Sequence, residues 1–116
     1  MARTVTGEIV LPPGDYPAPA AELVVQVEDI SRADAPSVMI GEFRRRNVPL
    51  RGGETIRFRI EIPADRIDER RLYSVRAHAD MSGSGHVKKG DLLTTRSYPV
   101  LTHGHGDHIS VAVQRI

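Results

Sequence analysis

Three histidines and an aspartate fall within six positions, His103-Gly104-His105-Gly106-Asp107-His108. In a His-x-His-x-Asp-His string the imidazoles and the carboxylate can hold one or two metal ions, which lower the pKa of a bound water and turn it into a hydroxide nucleophile. His103, His105, Asp107 and His108 are therefore the residues whose types and spacing point to hydrolytic chemistry. The other strings carry less. Arg44-Arg45-Arg46 could touch phosphate, yet strand alternation sends its members to opposite faces beside Glu42, which makes a solvated cluster. Asp65, Asp68 and Glu69 lack the alternating oxygen ligands and central glycine of a calcium loop. They read as formers of a short turn, with Asp65 or a neighbour as its N-cap. Asp29, Ser31 and Asp34 are turn formers as well. Gly83-Ser84-Gly85 lacks the lysine and following helix of a phosphate loop, and no serine sits in a nucleophile-elbow context.

The histidine string is the one used by metallo-β-lactamase-type hydrolases. Those enzymes place it early in a much longer αββα chain and complete the metal shell with later residues. Here only eight residues follow His108, in a chain of 116, and they alternate like a strand. His78 and His86 lie upstream and are not spaced as a second set of ligands. The preferred reading makes the glycines a hairpin turn and the histidines exposed turn residues, with no catalytic residue, no metal and no cofactor. A metal-dependent hydrolase built on His103, His105, Asp107 and His108 is the alternative. Three imidazoles on a flexible turn can also pick up adventitious zinc or nickel.

The elements that must position these residues follow from composition and period. At 116 residues, with 40% hydrophobic and 27% charged, the chain is expected to be one domain over residues 1–116 with a single core. Lys plus Arg exceed Asp plus Glu by one, and the signs are interleaved, so no overall field gathers nucleic acid or anionic lipid. Two Phe, three Tyr and no Trp are too few for base-stacking or sugar-binding platforms. The absence of cysteine removes disulfides, thiolate catalysis and zinc-thiolate sites. Met1 to Val5 runs straight into an alternating segment, without the apolar stretch of about 7–15 residues of a signal peptide, and no membrane span is expected.

The dominant period is two. Between Thr55 and Ile62, residues Ile56, Phe58, Ile60 and Ile62 share one face, while Thr55, Arg57, Arg59 and Glu61 share the other. The same period predicts strands over Val5 to Leu11, Leu23 to Ile30, Val38 to Arg45, Tyr73 to Ala79, Leu92 to Thr95 and Ile109 to Ile116, about seven in all. Pro12-Pro13-Gly14, Ala35-Pro36, Arg51-Gly52-Gly53, Ser82 to Gly85, Lys89-Gly90-Asp91 and Gly104 to Asp107 supply the turns. Gly14 to Ala20, with Pro17 and Pro19, reads as a surface loop. Ala64 to Asp68 reads as one helical turn. Short strands at this spacing predict an all-β, two-sheet antiparallel sandwich, with a small closed barrel as runner-up. Tyr73 and Tyr98 stand at strand boundaries, where a buried ring bonded to backbone would pin a corner.

An ordered set of strings carries a family resemblance. Thr6-Gly7 enters the first strand, followed by Leu11-Pro12-Pro13 and Val27-Glu28-Asp29-Ile30-Ser31 with Ala33-Asp34-Ala35-Pro36. Further on come Ile67-Asp68 with Arg70 and Tyr73, then Tyr98-Pro99-Val100-Leu101-Thr102. In this order they resemble the YbaY and YscW group, bacterial envelope lipoproteins that include the pilotin-type chaperones of type III secretion. The resemblance implies an immunoglobulin-like or prealbumin-like sandwich and a non-enzyme. The group's signal sequence and lipidation cysteine are not present here. Periplasm or cell envelope is the compartment the resemblance implies, and the cytoplasm the one that Met1 as native start would imply.

The functional expectation is a non-enzymatic binding or assembly module, pilotin-like or chaperone-like, that presents a sheet face or open edge to another protein. A small-ligand carrier, marked by a dry pocket between the sheets, is a further alternative beside the hydrolase. Nucleic acid is not an expected partner.

Overall fold

Alternation decides the strands, and pairing decides which face is inside. The computed structural model describes residues 1–32 and 34–116. Ala33, part of one of the resemblance strings, lies outside the described residues. The strands are β1 (Ala2–Val10), β2 (Ala20–Asp29), β3 (Val38–Val48), β4 (Thr55–Pro63), β5 (Tyr73–Asp80), β6 (Leu92–Leu93), β7 (Pro99–Val100), β8 (His108–Ala112) and β9 (Gln114–Arg115). A single 3-10 turn, Ala64–Arg66, joins β4 to the segment before β5. Among the described residues no helix is long and apolar enough to cross a membrane.

Two sheets face each other. The smaller has the order β4-β1-β8, and the larger β3-β2-β5-β6-β9 with β7 also paired to β5. In β4 the expected register holds, with Phe58, Ile60 and Ile62 buried and Thr55, Arg57, Arg59 and Glu61 exposed. Val5 and Ile9 of β1 and Val111 of β8 join them. Leu23, Val25 and Val27 of β2 and Val75, Ala77 and Ala79 of β5 come from the facing sheet. Side chains fill the space between the sheets, Ile9, Leu23, Ile60, Ile62 and Tyr73 being the largest that are fully buried. This two-sheet all-β architecture is the one that the period of two implies.

Three details depart from expectation. β1 and β8 run parallel, Thr6 pairing with His108 and Val10 with Ala112, so the small sheet is mixed rather than wholly antiparallel. A parallel neighbour needs a long crossover, and here nearly the whole large sheet intervenes between β1 and β8. Period alone carries no direction. The expected last strand is two pieces, because the chain crosses at buried Val113 from the small sheet to the large one. β7 is the further strand, making nine among the described residues rather than about seven. It has only Pro99 and Val100, paired with Ser74 and Tyr73, too short for a period to register.

Two glycines are required by close approach. A Cβ on Gly7 would strike the Ile109 carbonyl oxygen and lie 2.8 Å from the Phe58 ring, and one on Gly41 would lie 2.8 Å from Ile60. At Gly7 the bare backbone lets β8 pack beside β1 with the Phe58 ring against it. The tyrosine corners form as the sequence suggests. The Tyr73 hydroxyl accepts from the Asp68 N–H at 2.9 Å. The Tyr98 hydroxyl donates to the Ala112 carbonyl and accepts from the Ala112 N–H, both at 3.1 Å.

Candidate functional site

His103 to Asp107 lie in the loop between β7 and β8, and His108 opens β8. His103 and Gly104 adopt left-handed backbone, with φ of 56° and 82°. The His105 N–H reaches the Thr102 carbonyl at 3.1 Å, and the Leu101 N–H reaches the Gly106 carbonyl at 3.0 Å. His103, His105 and His108 are exposed. The candidate ligands are directed to different partners. Asp107 accepts from the Arg3 guanidinium at 2.8 Å, and the same Arg3 Nη2 donates to the Leu101 carbonyl at 3.0 Å. His108 Nδ1 lies 2.9 Å from the Thr6 hydroxyl across the parallel β1–β8 ladder. Arg3 and Thr6, more than a hundred positions upstream, thus hold one end of the string against the first strand. The string is a turn but not the expected hairpin, because β7 pairs with β5 in the large sheet and β8 with β1 in the small one, and its carboxylate is paired with a guanidinium.

The other charged candidates are also engaged with the protein itself. Arg44 and Arg46 lie on the outer face of the large sheet and pair with Glu22, Arg44 also with Glu42. Arg45, opposite Leu23, faces the other way. The guanidinium and the Gln26 amide outweigh partial burial and hold the Glu42 carboxyl below its ordinary pKa. Asp68 accepts from the Arg70 N–H and side chain, which lower its pKa too. The 3-10 turn has Pro63 as its N-cap and no side-chain cap, so the capping expected of Asp65 is absent there. Burial raises the Asp29 carboxyl, and bonds from Ser31 and Arg71 bring it below its ordinary value.

A cluster that the sequence reading passed over is built on the outer face of β5. Alternation puts Tyr73, Val75, Ala77 and Ala79 inward, so Ser74, Arg76, His78 and Asp80 should look outward. His78 and Asp80 are nevertheless buried, at 6% and 2% exposure, together with Asp91 at 1%. The loop from Met81 to Asp91 folds back over them. Asp80 accepts from the Gly83 N–H at 3.0 Å and the Gly85 N–H at 2.8 Å, both glycines having positive φ. Asp91 accepts from the Met81 N–H and the Lys88 N–H, each at 3.0 Å, and lies 2.7 Å from His78 Nε2. Burial pushes both carboxyls up. The backbone N–H groups, with His78 in the case of Asp91, outweigh burial and hold both below the ordinary value. Gly83-Ser84-Gly85 therefore closes on the protein's own carboxylate. One potential ligand atom from each of His78, Asp80 and Asp91 lies within 4.8 Å of the others, and no other such group occurs among the described residues. The sequence signal available was an aspartate two positions after a histidine, followed by a Gly-rich loop ending in a second aspartate.

An open groove of about 560 Å³ crosses the small sheet, lined by Thr6, Gly7, Glu8, Phe43, Arg57, Phe58, Arg59 and His108. Both phenylalanines of the chain line it. Arg57 and Arg59 project from the exposed face of β4, and Glu8 is bonded to Ser110 on the neighbouring strand.

Residues 1–113 match the family described as type III secretion system lipoprotein chaperone (YscW). The chain belongs to this family. The strings that carry the resemblance have structural work in this YscW-family fold: Gly7 admits β8 beside β1, and Tyr73 and Tyr98 pin the corners. A solved structure with the same fold is an alternative pilotin from the type II secretion system of Vibrio cholerae, with a TM-score of 0.77 and 21% sequence identity. The alignment covers 100% of this chain and 98% of that one. No curated protein sequence matches. The family is one of secretion chaperones. A chaperone-like binding role follows for the YscW-family chain.

Proposed function

We propose that this YscW-family protein is a non-enzymatic, pilotin-like chaperone that binds a segment of a secretin subunit in the groove across the small sheet. Family membership supports the chaperone role. The observation that carries the site is the convergence of Phe43 with Arg57 and Arg59 along one open groove, over the nearly buried Phe58. Apolar anchors in such a groove supply affinity, and rim charges select register and speed encounter. The segment that fits has one or two apolar side chains flanked by acidic ones. The turn geometry of the histidine string supports the absence of hydrolysis, since Asp107 is held by Arg3 and His108 by Thr6.

The test is titration calorimetry of the purified protein with overlapping peptides that span a secretin subunit. One peptide should bind saturably. Arg57→Glu combined with Arg59→Glu should weaken it at least about tenfold and flatten its salt dependence. Binding that ignores this double change, or no binding by any peptide, would remove the groove from the mechanism.

A further inference from the structure

The geometry points to a second site in this protein: a divalent transition-metal site, with zinc as the probe, formed by His78 Nε2 and the carboxylates of Asp80 and Asp91 beneath the Met81-to-Asp91 loop. It lies on the outer face of the large sheet, apart from both the groove and the histidine string. One imidazole nitrogen with two carboxylate oxygens is a donor set suited to zinc and its neighbours in the first transition row. The required atoms already lie within 4.8 Å of one another. Around a tetrahedral ion with bonds of about 2.0–2.1 Å, ligand atoms stand about 3.3 Å apart, so the side chains need to adjust by no more than about 1.5 Å.

Three features favour a cation over a bare polar cluster. Two carboxylates meet in a buried place beside a single imidazole, His78, so a divalent ion balances their charge. Each carboxylate keeps a free lone pair, since Asp80 accepts from Gly83, Gly85 and Ser82 and Asp91 from Met81, Lys88 and His78. Backbone N–H groups that hold the oxygens of both carboxylates in place are also the kind of outer support that fixes ligating carboxylates. The metal would enter between His78 Nε2 and Asp91 Oδ2, which are 2.7 Å apart, in place of the proton they share. Nδ1 then carries the imidazole proton. Water fills the remaining coordination position, and entry is through the loop, exposed from Gly83 to Gly90. The bound ion ties that loop to β5.

The experiment is zinc titration by calorimetry on untagged full-length protein in a non-coordinating buffer, repeated on two variants. The expected result is one saturable equivalent that survives in the triple variant H103A/H105A/H108A and weakens at least about tenfold in His78→Gln. Cobalt substitution of the unmutated protein gives a readout that does not need the His78 variant to fold: visible absorption bands of a four- or five-coordinate ion should appear, unchanged in the triple variant. Binding that disappears in the triple variant would place the metal on the surface histidines and overturn the inference. The absence of saturable binding and of cobalt bands would overturn it as well.

Discussion

Removing one oxygen atom from Tyr98 tests whether the tyrosine corners hold the two sheets together. The ring is 7% exposed, and its hydroxyl both donates to the Ala112 carbonyl and accepts from the Ala112 N–H, at 3.1 Å each. Ala112 ends β8 immediately before the chain crosses to the large sheet at Val113. Tyr98→Phe keeps the ring and its packing but leaves both backbone groups without a protein partner. Each lost hydrogen bond contributes about 0.5–1.5 kcal/mol net, and an orphaned buried group about 1–3 kcal/mol. Ala112 is only partly buried, so water replaces some of the loss and the expected cost is about 1–2.5 kcal/mol. For a domain of this size that lowers the melting temperature by roughly 4–10 °C. Urea unfolding at fixed slope supplies the measurement, with Tyr16→Phe as comparison. Tyr16 gives one hydrogen bond, to the Pro12 carbonyl in an outer loop, and its loss should cost about 0.5 kcal/mol or less. If Tyr98→Phe costs no more than Tyr16→Phe, the corner is not a structural device and the reasoning fails.

Ile60→Asp forces a carboxylate into the apolar layer at a residue 1% exposed and should unfold the domain or cost several kcal/mol, whereas Arg59→Gln on the exposed face of the same strand should cost about half a kcal/mol or less by chemical unfolding. Asp80 and Asp91 have folded pKa values below the unfolded carboxyl value of about 3.9, so the stability they confer is full above that pH and is lost as pH falls through their lower folded values. Asp80→Asn should therefore show a shallower loss of stability between about pH 5 and pH 2 than the unmutated protein, and equal slopes would contradict it. The triple change H103A/H105A/H108A should leave the melting temperature in chelator nearly unchanged, because those side chains are exposed and, among the described residues, only His108 makes a side-chain hydrogen bond, itself solvent-accessible. A fall of many degrees would mean that the string is more than a turn.

The sequence by itself determined the longer strands, their inward faces and the class of fold, because burial on one side of a sheet writes a period of two into the chain. Thr55 to Ile62 reads the same in either direction of argument. It also marked Tyr73 and Tyr98 as corner residues, and the ordered strings around Gly7, Tyr73 and Tyr98 as those of the YscW family. Strand order and direction were beyond it. The parallel pairing of β1 with β8 joins residues about a hundred positions apart, and alternation is blind to partners. The fate of the histidine string was decided the same way, by Arg3 and Thr6 reaching it across that ladder. The groove needed Phe43 from one sheet and Phe58 from the other. His78 and Asp80 read as outward polar residues because the strand pattern makes them so. Only the loop folding back from Met81 to Asp91 buried them, and burial by a distant or irregular segment leaves no periodic trace in a sequence.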